Sequence, residues 1–123
     1  MKRLFILLLI GYSCSAGDLV SAVHKVESSG RVGKIVGDNG KALGPLQIHY
    51  KTWKDAVEFD KTIKGKYKDC SDLNYSKKIF IAYLNKYAAG KSLEERARIW
   101  NGGPQGHQKA ETKKYWNKVK QLL

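Results

Sequence analysis

The sequence predicts a mainly helical α+β domain of about five helices, with one small β-hairpin directly after the first. Three observations carry that expectation. Apolar residues recur three or four positions apart in several segments, the spacing of a single helix face. Between Gly30 and Gly44, five glycines fall in fifteen positions around the β-branched run Val32 to Val36, a composition suited to turns and short strands. At 123 residues the chain has room for one domain, and it contains no internal repeat or low-complexity segment.

Taken in order, Lys2 and Arg3 precede the apolar run Leu4 to Ile10, and Cys14-Ser15-Ala16 offers small residues for cleavage before Gly17. That is the pattern of an export leader, and the run is too short for a spanning helix, which needs about 20 apolar residues. The expected organisation is a leader over residues 1 to 16 and one domain over 17 to 123, released as a secreted, extracellular or periplasmic protein. Gly11-Tyr12-Ser13 is a poor context for lipid attachment at Cys14, so release is expected over anchoring. Loss of Lys2 and Arg3 takes the formal charge from +12 to +10 and leaves Cys70 as the sole cysteine, so no intrachain disulfide is expected. A small exported domain without bridges must be held by packing, which its aromatic residues can supply.

Asp18 is a plausible N-cap of the first helix, with Leu19, Val20, Val23 and Val26 on one face and Gly30 as its stop. Glu27 then lies in the last turn, at the negative end of the helix dipole, where its charged form is disfavoured. Gly37-Asp38-Asn39-Gly40 reads as a hairpin turn. Tyr50, Trp53, Ala56 and Val57 predict a second helix, followed by a lysine-rich connector over 60 to 68. Ser71 or Asp72 can cap a third, with Leu73, Ile79, Phe80, Tyr83, Leu84 and Tyr87 inward and Gly90 as its end. Ser92-Leu93-Glu94-Glu95 is a capping box for a fourth, closed by Asn101-Gly102-Gly103-Pro104. The last helix is expected over about 109 to 122, with Tyr115, Trp116, Val119 and Leu122 inward and lysines outward.

Two carboxylates in unlike settings stand out. Glu27, where a helix end meets the apolar wall Gly44-Pro45-Leu46-Gln47-Ile48, suits a protonated acid; Asp38, in a polar turn, suits an ionised partner. Such a pair is what cleavage of a glycosidic bond requires. Taken singly, Glu27 also reads as a solvated helix-end residue and Asp38 as a plain turn former. His24, His49 and His107 have no companions at metal-ligand spacing, so no metal is expected, and no cofactor. Cys70 has no His/Asn arrangement around it, and no phosphate-binding loop is present. The basic last helix reads as core with a solvated lysine face, so no specific nucleic acid is expected. The positive charge points to polyanionic surfaces as partners, or simply to solubility.

Val26-Glu27-Ser28-Ser29-Gly30 followed by Gly44-Pro45-Leu46-Gln47-Ile48 resembles the lysozyme and lytic transglycosylase superfamily. Further segments are similar, in the same order, to invertebrate-type (destabilase) lysozymes: Trp53-Lys54-Asp55, the stretch Ala82 to Ala88, the stretch Ala97 to Gly106, and Tyr115 to Val119. The resemblance covers nearly all of residues 19 to 120. It implies a lysozyme-like fold and hydrolysis of the β-1,4 bond between N-acetylmuramic acid and N-acetylglucosamine in peptidoglycan. Glu27 matches the family's acid/base glutamate, and Asp38 its aspartate, with the spacing to the Gly-Pro segment one residue shorter here. The family is rich in disulfides, whereas Ala22, His24, Ala56 and His107 stand where cysteines are usual, and Trp100 replaces a histidine. A bacterial or phage-like relative fits these departures.

The leading expectation is therefore a monomeric, retaining muramidase with Glu27 as acid and Asp38 as nucleophile or stabiliser. Gln47, Ile48, Trp53, Trp100 and Asn101 are the expected sugar contacts or cleft walls, Trp53 reading equally as core. One alternative is a lytic transglycosylase using Glu27 alone. Another is a non-catalytic cationic protein that binds walls or membranes by charge.

Overall fold

The computed structural model describes residues 16 to 123. The expected leader, save its last residue, lies outside the described residues, and Cys14 with it. Among the described residues, five α-helices and a three-stranded antiparallel sheet follow in the order α1 (Ala16–Ser28), β1 (Val36–Gly37), β2 (Ala42–Leu43), β3 (Ile48–His49), α2 (Tyr50–Phe59), α3 (Leu73–Tyr87), α4 (Leu93–Gly102) and α5 (Thr112–Lys120). Short 3-10 turns at Tyr67–Ser71 and Gly106–Gln108 connect α2 to α3 and α4 to α5. No helix among the described residues is long and apolar enough to cross a membrane.

Helix α1 ends where Ser29 and Gly30 take left-handed backbone angles, φ 59° and 78°. Their amides return to the carbonyls of Lys25 and His24, so the last turn is closed and Glu27 is held within it. Asp18 lies inside the first turn rather than at the cap. Asp72 caps α3 by accepting from the Tyr75 amide, and Ser92 with Glu95 forms the capping box of α4.

The hairpin pairs Val36 with Leu43 and Gly37 with Ala42. Its loop runs from Asp38 to Lys41 around the expected Asn39-Gly40 signal, with Asp38, Asn39 and Gly40 all left-handed at φ 51°, 57° and 88° and the Lys41 amide donating to the Asp38 carbonyl at 3.1 Å. A third strand extends the expected hairpin, since Ala42 and Leu43 also pair with His49 and Ile48. The segment Gly44 to Gln47 is the tight turn between β2 and β3, with the Gln47 amide donating to the Gly44 carbonyl at 3.0 Å.

The core gathers Leu19 and Val23 of α1, Leu46 and Ile48 beside the sheet, Ile79 and Phe80 of α3, Ile99 of α4 and Val119 of α5, each at most 1% exposed. Helix α1 lies against α4 and α5, and α2 against α3. Leu122, expected inward, is 47% exposed, because α5 stops at Lys120 and the chain leaves the packed face. Arg98 is buried instead, donating to Glu94, Thr112 and the Lys109 carbonyl, and so ties α4 to the start of α5.

Candidate active site

A cleft of about 710 Å³ opens between the sheet and the helices α2, α3 and α4, and both Glu27 and Asp38 line it. That is an ordinary size for a ligand site. Glu27 reaches the cleft floor from the last turn of α1, where Tyr115 of α5 donates its hydroxyl to Oε2 at 2.8 Å. The Trp100 indole beside it also favours the charged form. Burial outweighs both and pushes the Glu27 carboxyl up from 4.5 to about 7. Burial drives the Tyr115 phenol well above its ordinary value, and the neighbouring Glu27 carboxylate adds to the shift, since ionising the phenol would place a second charge beside it.

Asp38 occupies a different environment. Its side chain is 58% exposed, and Oδ2 lies 3.0 Å from Nε2 of His49 on β3. The left-handed backbone of the turn, which aspartate tolerates, directs it there. One cleft thus presents a desolvated carboxyl that holds a proton near neutrality and a solvated carboxylate beside a histidine. That asymmetry can divide acid from nucleophile or stabiliser.

No protein-family model and no curated protein sequence matches the chain. Solved structures do match. Tapes japonica lysozyme superposes with a TM-score of 0.70 at 29% identity, over 83% of this chain and 85% of that one. The complex of Aeromonas hydrophila PliI with Meretrix lusoria lysozyme matches with a TM-score of 0.70 at 32% identity, over 85% and 87%. Inhibitor-bound lysozyme from Meretrix lusoria gives 0.69 at 31%, over the same shares. The chain belongs to the invertebrate-type (destabilase) lysozyme family. The mainly helical α+β architecture with its small sheet is the lysozyme-like fold.

Within this lysozyme-family cleft, the expected contact residues take different places. Ile48, Trp100 and Asn101 line it, Ile48 almost fully buried and Asn101 exposed. Trp100 packs edge-on against Phe80 and Tyr83, with ring centroids 4.8 and 5.7 Å away, which fixes the indole beside Glu27. Gln47 lines the cleft too, but its amide nitrogen donates to the carbonyls of Ile35 and Gly44. Its side-chain oxygen fills the space a Cβ would need at Gly37, so Gln47 holds the sheet and its turn together.

Trp53 is not among the cleft-lining residues. It lies on the other side of α2, in contact with Tyr50 and Tyr67, and donates from its indole to the Tyr75 hydroxyl at 3.0 Å. The residues α2 does turn to the cleft are Lys51, Thr52 and Asp55, and α3 adds Tyr83 and Tyr87. Sequence reasoning missed these, together with His49 and Tyr115. The i, i+4 spacing of Lys51 and Asp55 marks a shared polar face, a signal that a helix facing bulk water also gives. For Tyr115, 88 residues from Glu27, no local signal exists.

Proposed function

We propose that this protein is an exported muramidase that hydrolyses the β-1,4 bond between N-acetylmuramic acid and N-acetylglucosamine in peptidoglycan. The observation that carries the reading is Glu27, a half-buried cleft carboxyl that desolvation holds up at about 7. In the first step Glu27 gives its proton to the leaving glycosidic oxygen while Asp38 meets the positive charge developing at the anomeric carbon, as nucleophile or stabiliser. In the second, Glu27 takes a proton from water, whose oxygen attacks the same carbon from the face the leaving group left, so configuration is retained. Gln47, Ile48, Trp100 and Asn101 form the surrounding walls. Export is supported by the leader-like residues 1 to 16, and the mature protein is expected to begin at Gly17.

Replacing Glu27 by Gln keeps the shape and removes the proton, so turnover on purified peptidoglycan should fall by about 10²–10⁴-fold. Full activity in that variant would remove the assignment. A lytic transglycosylase is the second reading, favoured by the high exposure of Asp38, because that reaction needs only the glutamate and the substrate's own C6 hydroxyl. Mass spectrometry of the products separates the two: reducing ends mark hydrolysis, anhydro-muramyl ends the transglycosylase.

A further inference from the structure

Helix α2 turns three polar side chains to the cleft, Lys51, Thr52 and Asp55, while Trp53, Ala56 and Val57 pack into the protein. Neither charged end of that strip has a part in the bond-breaking step. Lys51 is exposed and, among the described residues, makes no ion pair. It follows His49, the partner of Asp38, by two positions, and all three residues line the cleft. Asp55 lies one helical turn further on and is fixed in place. Its Oδ2 accepts from the Tyr87 hydroxyl at 3.0 Å, and its Oδ1 lies 3.9 Å from Nζ of Lys86.

A carboxylate held in this way keeps lone pairs for further donors. It accepts from the hydroxyl or acetamido N–H of a neutral sugar and repels an anionic one. An unpaired lysine has the opposite preference. The two groups sit one turn apart on one helix, in the order cation then anion, along the wall of a single groove.

We propose that Lys51 and Asp55 read the alternation of the glycan strand. Lys51 pairs with the carboxylate on the lactyl or stem-peptide arm of a muramic acid unit, and Asp55, held by Tyr87, takes a neutral N-acetylglucosamine unit. This rests on the muramidase reading and adds to it a means of telling peptidoglycan from a neutral chain of N-acetylglucosamine.

The test compares kcat/KM on soluble, uncrosslinked glycan strands bearing stem peptides with kcat/KM on the hexamer of N-acetylglucosamine, at about 0.15 M salt to limit long-range attraction. Lys51→Gln should lower the ratio of the two about threefold, the size of an exposed charge pair, and Lys51→Glu should lower it further. Asp55→Asn should raise KM on both substrates. Lys78→Gln removes the same charge from α3, outside the cleft, and should leave the ratio where it was. The inference is overturned by an unchanged ratio in both Lys51 variants, or by an equal fall in Lys78→Gln, which would make bulk charge the cause. Should the parent protein cleave neither substrate, the muramidase reading fails by itself. Calorimetric titration of the same two ligands into the parent and the Lys51 variants then decides the inference by the same ratio, now of affinities.

Discussion

Glu27 is under opposed influences: burial raises its carboxyl, while the Tyr115 hydrogen bond and the Trp100 indole lower it. The balance at about 7 makes the acid half-charged near neutrality, so kcat should decline as pH rises through about 7. Tyr115→Phe removes a bond that favours the charged form, so the alkaline limb of the kcat profile should move to higher pH; a limb that stays put would mean Glu27 does not govern it. Stability has the same sign. The folded state binds this proton more tightly than the unfolded chain, so the contribution is full below 4.5 and lost as pH rises to about 7. Above that pH, Glu27→Gln should therefore stabilise the fold, by on the order of 3–4 kcal/mol at about 1.4 kcal/mol per unit. At pH 4 the gain should vanish, which thermal melts at pH 4 and pH 8 can check. The glutamate itself was legible, since the chain stop at Ser29-Gly30 and the apolar wall after it are local signals. Its strongest partner was not, because only the docking of α5 on α1 brings Tyr115 to it.

At the scale of elements, what the sequence states locally is what it states clearly. The Asp72 cap, the Ser92–Glu95 box and the left-handed Asp38-Asn39 turn each depend on residues within four positions of one another. The third strand did not announce itself, because two residues carry no alternation, and which face of α2 meets the cleft depends on where α3 lies. Gly44 joins both kinds of information. Its φ of 84° belongs to the left-handed region, and a Cβ there would collide with the backbone carbonyl of Cys70 in the 3-10 turn. Backbone cannot move aside as a side-chain end can. Gly44→Ala should therefore cost on the order of 3 kcal/mol, combining conformational strain with overpacking, and lower Tm by about 10 °C or more. A shift of only a degree or two in calorimetry would mean that the turn between β2 and β3 yields without loss. Because that turn carries Gln47 and leads into Ile48, activity at low temperature should fall with stability.

The molecule as a whole departs from its disulfide-rich relatives in how it is held together and in its charge. Cys70 is fully buried and unpaired, and burial pushes its thiol up to about 12, so it behaves as a small apolar core residue. Adding reductant to the protein beginning at Gly17 should leave Tm unchanged, and a fall of several degrees would reveal pairing between chains. Charge acts at longer range. The chain carries +12, or +10 without Lys2 and Arg3, and bacterial walls are anionic, so encounter should be steered by the summed field. Steering is screened by salt, so activity on whole cells should decline as ionic strength passes about 0.15 M, where the Debye length is about 8 Å. Short neutral oligosaccharides bring no charge to steer, and their cleavage should respond far less. The exposed lysines of α5, Lys113, Lys114, Lys118 and Lys120, stand outside the cleft, whereas Val119 turns inward to the core. Neutralising all four should slow action on cells and flatten its salt dependence while oligosaccharide cleavage continues at the parent rate. An equal loss on both substrates would instead mean that these lysines support α5 and, through Tyr115, the acid it holds.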